Sequence, residues 1–170
     1  MTSNNSAHDL TRLRTIFGAA LTSDVLDHLG YRNQVLKSDV SMISGDGVMM
    51  GYAFPVRLEV VDTYPEVPYV GLLAALDAIE KDQVYVTPSG RMKRAALWGE
   101  LLSTACAFKG VAGALTDGPV RDVNRMRAMG FKVFGVETDP TEINSRYEVV
   151  EHNVQAVIDG VTINPGDLIV

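Results

Sequence analysis

The chain of 170 residues has one cysteine, Cys106, and no CxxC pair. An internal disulfide is therefore excluded, and a lone thiol fits a reducing cytoplasm. No apolar run approaches the ~18 residues of a membrane span, so no membrane partner is expected. Basic residues are outnumbered, 15 Lys and Arg against 21 Asp and Glu, for a net charge of −6. A phosphate backbone calls for a basic surface, so nucleic acid is not an expected partner. The opening MTSNNSAHD lacks a basic region followed by an apolar core and is not a secretory signal. Residues 1–9 read instead as a disordered polar tail. The histidines, His8, His28 and His152, form no HxH or HExxH pattern, which argues against a zinc site. GxSxG, a Walker loop and GxGxxG are absent too.

What is present is an ordinary globular composition, 46% apolar and 21% charged. No repeat or long linker divides it, so residues 10–170 are expected to form a single domain. Leu10, Leu13, Phe17 and Leu21 recur at helical spacing and predict a helix over 8–21. Ser23 can cap a second short helix that Gly30 closes. Residues 48–62 read as extended, with Pro55 marking an edge or a break. Helices are predicted over 70–82, 99–110 and 118–130, and strands over 83–87, 111–116 and 131–137. The last two helices and strands make a β-α-β unit with a parallel crossover. Short strands separated by Gly, Asn and Pro turns fill the remainder, so the class is a mixed α/β domain. The sequence stops on DLIV, an apolar strand with nothing after it, which points to a missing natural C-terminal segment.

Two helix starts carry candidate chemistry. In LTDGPVRDV, residues 115–123, Pro119 suits the first helical position, placing Arg121 and Asp122 in the first turn. That turn favours an anion, and Arg121 adds a two-pronged grip on a carboxylate. Asp122 would repel such an anion unless a hard divalent cation such as magnesium lay between them. The plainer reading is an Asp that complements the helix dipole beside a solvated Arg. Gly99-Glu100-Leu101-Leu102 opens the preceding helix, with a second set of free N–H groups and an acidic oxygen at Glu100. Here too, an exposed helix-terminal glutamate is the plainer reading. Elsewhere, Cys106 reads as a buried packing thiol, Arg146 as a surface ion pair, and Trp98 as either a pocket wall or a subunit contact.

The stretch WGELLSTACAFKGVAGALTDGPVRDVNRMRAMGFKVFG, residues 98–135, resembles the RraA-like family. That family includes the 4-hydroxy-4-methyl-2-oxoglutarate/4-carboxy-4-hydroxy-2-oxoadipate aldolases and the ribonuclease E inhibitor RraA. Its aldolases carry an acidic residue, twenty residues, then Arg-Asp; this chain has Glu100, residues 101–120, then Arg121-Asp122. TSDVLDHLG (22–30), GYAFPV (51–56) and INPGDLIV (163–170) extend the likeness. The resemblance implies a swivelling β/β/α domain, a mixed sheet with flanking helices, assembled as a homotrimer or hexamer. It implies a divalent metal, magnesium or alternatively manganese, bound by Asp122 directly and by Glu100 through water. Arg121 would hold a 2-oxo acid, and the N–H groups of Leu101 and Leu102, following Gly99, would hold its carboxylate.

The implied activity is that of a metal-dependent lyase. Retro-aldol cleavage and oxaloacetate decarboxylation both leave a pyruvate enolate, so one site can serve both. Two departures matter. The aldolases usually carry Asp where this chain has Glu100, and a displacement of about an ångström can cost ~10²-fold in rate. They also take an acidic contribution from a neighbouring subunit's C-terminal region, which this chain does not reach. The rival expectation is a protein-binding regulator like RraA; Glu100 together with Arg121-Asp122 favours the enzyme.

Overall fold

The computed structural model describes residues 10–36, 39–90, 92 and 94–170; the predicted polar tail and His8 lie outside them. Two short helices open the described chain, α1 (Leu10–Ile16) and α2 (Ala19–His28). The expected continuous helix over 8–21 is thus interrupted. Gly18 takes an extended conformation and caps α2, because its carbonyl receives the Thr22 N–H while Phe17 still bonds back to Leu13. Ser23 consequently lies inside α2 rather than at its cap. Arg14 fastens α1 to the body of the protein by donating to the Met50 carbonyl at 2.8 Å and to Asp82 at 2.9 Å.

A mixed sheet follows, built from β1 (Ser41–Ser44), β2 (Gly51–Val60), β3 (Gln83–Thr87), β4 (Gly113–Thr116), β6 (Val133–Gly135), β8 (Tyr147–His152) and β11 (Leu168–Ile169). The order is β1-β6-β4-β3-β2-β11, with β8 also paired to β2. The β2–β3, β3–β4 and β4–β6 pairs are parallel, and the outer strands are antiparallel. The expected crossover is present, with Ala114 beside Val133 and Leu115 beside Phe134. Pro55, expected at an edge or break, lies within the central strand β2. Ala53 on the same side of that strand bonds Asp167 near β11, while Val56 pairs with His152 of β8. Pro55 therefore turns its donorless nitrogen toward the gap between two partner strands, where no ladder bond is lost.

Side-chain alternation sorts the core into two layers. Phe54, Val56, Tyr85, Ala114 and Val133 pack with Ala75, Ile79, Cys106 and Met126 of the helical side. Those helices are α3 (Val70–Ala78), α4 (Glu100–Phe108) and α5 (Val123–Met129). Ala53, Val84, Val86 and Leu115 face the other way, against Ile158, Val161 and Ile163. These last belong to a hairpin of β9 (Ala156–Ile158) and β10 (Val161–Ile163). Its turn residues, Asp159 and Gly160, both have positive φ, as the two-residue turn matching strand twist requires. The chain is thus layered as hairpin, sheet and helices.

The helix predicted over 70–82 ends at Ala78. Lys109 takes its last exposed carbonyls, donating to Leu76 at 2.8 Å and to Asp77 at 2.7 Å. Ile79 then turns extended and fully buried. At its other end α3 presses on β8 so tightly that a Cβ at Gly71 would lie 1.7 Å from the Val149 carbonyl oxygen. The obstacle is backbone, so the helix itself must move. Gly71→Ala is expected to destabilise the protein by roughly 3 kcal/mol, the upper end for overpacking. Thermal unfolding should drop by about 6–12 °C; an unchanged midpoint would show that this contact is looser than described.

Candidate active site

The helix expected over 118–130 starts late. Pro119–Val120 forms a short strand, β5, paired in parallel with β7 (Glu137–Thr138). The reason lies in the carbonyls. Pro119 C=O accepts the Leu97 N–H at 2.8 Å, and Val120 C=O accepts the Asp139 N–H at 3.0 Å. Oxygens engaged by flanking strands are not free to start a helical ladder. The first helical bonds therefore run to Asp122 C=O, from Arg125 at 2.9 Å and Met126 at 3.1 Å. Arg121 and Asp122 precede α5 rather than fill its first turn. Asp122 is its N-cap residue, in the left-handed region at φ 57°, which Asp tolerates better than most residues.

This conformation sends the Asp122 carboxylate toward the other predicted helix start. Its Oδ2 accepts the Glu100 N–H at 3.3 Å, and Arg121 Nε lies 3.7 Å from the same oxygen. The positive end of α4 and the guanidinium converge on one carboxylate. Asp122 itself sits at the start of α4, so an anion received there would lie beside its carboxylate unless a cation lay between them. Gly99 makes the approach possible: a Cβ there would lie 2.8 Å from Asp122 Oδ2 and 3.0 Å from Arg121 Cγ. Ser103 N–H bonds Gly99 C=O and opens the α4 ladder. The N–H groups of Glu100, Leu101 and Leu102 therefore lie ahead of it. The Leu101 side chain is 78% exposed, whereas Leu102 packs onto the core. The Arg121 and Asp122 side chains are 34% and 42% exposed, leaving the cluster open to a ligand.

The structure thus joins Gly99, Glu100, Arg121 and Asp122, residues drawn from two separate segments. Trp98 is corrected: it is buried, stacks on Phe131 and donates to Ser103 Oγ at 2.8 Å, so it is core rather than pocket wall or subunit contact. Arg146 donates to the carbonyls of Glu142 and Asn144, and its charge also acts on the Asp139 carboxylate. His28 ends α2, and His152 stacks on Phe54. Among the described residues no three His, Cys, Asp or Glu side chains gather into a metal cage. Nor is any helix there long and apolar enough to cross a membrane. A cavity of about 260 Å³ lined by Val56, Ser89, Met92, Tyr147 and Gln155 opens beyond β3, and none of the predicted site residues lines it.

Sequence reasoning missed a neighbouring pair. Tyr69, at the head of α3, has φ 65°, and its hydroxyl donates to Glu142. The hydrogen bond to Glu142, then burial, raises the Tyr69 phenol above its ordinary value, while the Arg121 cation acts in the opposite sense. Residues 139–142 are held beside the site by Asp139 N–H on Val120 C=O and by Ala96 N–H on Thr141 C=O at 2.9 Å. Asp139 is itself held below the usual carboxylate range, first by hydrogen bonds from Thr141 and then by Arg146. No motif marks Tyr69 or Glu142; their pairing spans 73 residues of chain.

The chain matches known proteins. Residues 19–170 match the family profile described as RraA-like, Aldolase/RraA, and the chain belongs to that family. A Halalkalibacterium halodurans protein named "Putative 4-hydroxy-4-methyl-2-oxoglutarate aldolase" is 29% identical over 161 residues, covering 95% of this chain and 71% of that one. A protein of the same name from Albidiferax ferrireducens is 35% identical over 85 residues, covering 50% of this chain and 49% of that one. Against several curated relatives the matched stretch spans less than half of their length. The crystal structure of Streptomyces coelicolor RraAS2, described as an unusual member of the RNase ES inhibitor RraA protein family, superposes with a TM-score of 0.78. It shares 23% identity, covering 95% of this chain and 79% of that one. At that identity the likeness establishes the fold.

Two outcomes test this geometry. Gly99→Ala should fold with an unfolding free energy within about 1 kcal/mol of the parent, because the atoms in its way belong to part-exposed side chains and not to backbone. A crystal structure of the variant should show the Asp122 carboxylate moved off Glu100 N–H, and an unmoved carboxylate would contradict the close packing. Cys106 is fully buried, and burial pushes its thiol up to about 12. Thiolate is the reactive form, so at pH 8 an aromatic disulfide reagent should label the unfolded chain and leave the native one unlabelled.

Proposed function

We propose that this chain is a divalent-metal-dependent lyase that cleaves a C–C bond of a 2-oxo acid. The supporting observation is the meeting of Arg121 and Asp122 with the start of α4 across Gly99. Asp122 reaches the start of a helix other than the one it precedes, which brings the two segments together. The names of the aldolase relatives support the same substrate class. The reading extends to a homotrimer or hexamer, as the family resemblance implies.

The donor set fits a hard cation. Asp122 offers carboxylate oxygen on a side chain 42% exposed, and Glu100 begins the adjoining helix. One or two carboxylates, with substrate oxygens and several waters, suit magnesium or manganese. Asp122 would hold the ion directly and Glu100 through water. When bound, it supplies Lewis-acid stabilisation of negative charge developing on substrate oxygens. The protein's own groups bind and orient. Arg121 grips the 2-oxo acid with a planar pair of donors, while the N–H groups of Leu101 and Leu102 receive its carboxylate at the positive end of α4. Fixing the substrate this way lowers the entropic part of the barrier. Loss of a carbonyl fragment or of carbon dioxide leaves the same pyruvate enolate, which takes a proton at C3.

The test is pyruvate release from 4-hydroxy-4-methyl-2-oxoglutarate and from oxaloacetate, with magnesium or manganese and then with EDTA. Turnover should need the metal, and Asp122→Ala should lower kcat/KM by about 10³-fold. Equal rates for parent and variant, or no turnover by folded, metal-supplied protein, would sink the reading.

A further inference from the structure

Retro-aldol cleavage makes a demand that decarboxylation does not. A 4-hydroxy-2-oxo acid must lose its hydroxyl proton as the C3–C4 bond breaks. The C4–O bond then becomes a carbonyl, the bonding electrons remain on the departing enolate, and the enolate is protonated at C3. Oxaloacetate releases carbon dioxide to the same enolate and has no hydroxyl proton to give up. An enzyme for the first reaction therefore needs an acceptor beyond the grip on the 2-oxo end, whereas one for the second does not.

We propose that Glu142, positioned by Tyr69, is the group that accepts the C4 hydroxyl proton, and that the pair selects hydroxylated 2-oxo acids at the Arg121 site. The inference rests on the lyase reading above. Two observations place the pair beside the site. Asp139 N–H is tied to Val120, the residue before Arg121, while Thr141 C=O is tied to Ala96, four residues before Glu100. Glu142 follows directly, so both segments that deliver the site also anchor its loop. Tyr69 holds a left-handed backbone at φ 65°. An aromatic residue adopts that conformation only where surrounding structure imposes it. Its hydroxyl reaches Glu142, and Arg121 is near enough for its charge to act on that hydroxyl.

The chemistry of the pair suits a hydroxyl ligand. A C4 hydroxyl can donate to the Glu142 carboxylate while the Tyr69 O–H keeps its own bond to that carboxylate, since a carboxylate accepts several hydrogen bonds. A proton acceptor in this position contributes typically 10²–10⁴-fold. Tyr69 acts through Glu142, fixing its carboxylate where a C4 hydroxyl can donate to it.

The test compares both reactions in the same metal-supplied protein. Glu142→Gln should lower kcat for 4-hydroxy-4-methyl-2-oxoglutarate by about 10²-fold and leave oxaloacetate decarboxylation within about threefold of the parent. Tyr69→Phe keeps the ring and its packing, and should lower aldol cleavage by about tenfold with the same sparing of decarboxylation. It also carries the test if loss of the carboxylate unsettles the loop, which thermal unfolding of each variant would reveal. Equal losses in both reactions would reduce the pair to a structural tie and overturn the proposal. So would aldol cleavage unchanged in both variants. A parent protein that turns over neither substrate would overturn the lyase reading beneath it, an outcome distinct from either of these.

Discussion

Two backbone carbonyls decide the character of this site. Pro119 and Val120 sit between residues 96–98 on one side and 137–139 on the other, and their oxygens are taken by Leu97 and Asp139. A chain segment bonded as a strand cannot at the same residues begin a helix. The start of α5 is pushed back to Asp122, which must turn sharply through the left-handed region to enter it. That turn carries its carboxylate to the foot of α4. Had α5 begun at Pro119, Arg121 and Asp122 would have been ordinary first-turn residues.

The same pair of bonds links the site to the wider fold. Residues 96–98 run directly into Gly99 and the α4 N-terminus, and Trp98 anchors them in the core through Phe131, Tyr85 and Ser103. Residues 137–139 continue into the loop bearing Glu142, whose partner Tyr69 heads α3. Three helix starts are thus referred to one short strand. The rigidity comes from below: α3 and α4 pack on the sheet through Ala75, Ile79 and Cys106, all fully buried. Functional groups on such anchored ends are held more firmly than groups on free loops.

The two-layer core explains how small strands sustain this arrangement. Each central strand sends alternate residues to the helical side and to the β9–β10 hairpin, as Tyr85 and Val84 do on β3. Parallel strands covered on both faces read as near-continuous apolar runs; hence QVYVT and VAGALT were legible without tertiary information. The hairpin carries its own turn chemistry in Asp159-Gly160.

What the sequence determined by itself was whatever depends on local pattern. Strands β3 and β4, helix α4 and the β4-α5-β6 crossover follow from apolar periodicity and from glycines at segment ends. The likeness of Glu100, residues 101–120 and Arg121-Asp122 to the family's pattern marked the candidate site. What the tertiary structure alone decided was every choice made by a distant partner. The break at Gly18, the late start of α5, the burial of Trp98 and the placing of Pro55 between β11 and β8 all depend on groups far along the chain. Tyr69 and Glu142 belong here too, since neither residue type carries a signal until the fold brings them together. Local propensity differences amount to a few tenths of a kcal/mol per residue, and a backbone hydrogen bond to a neighbouring strand outweighs them.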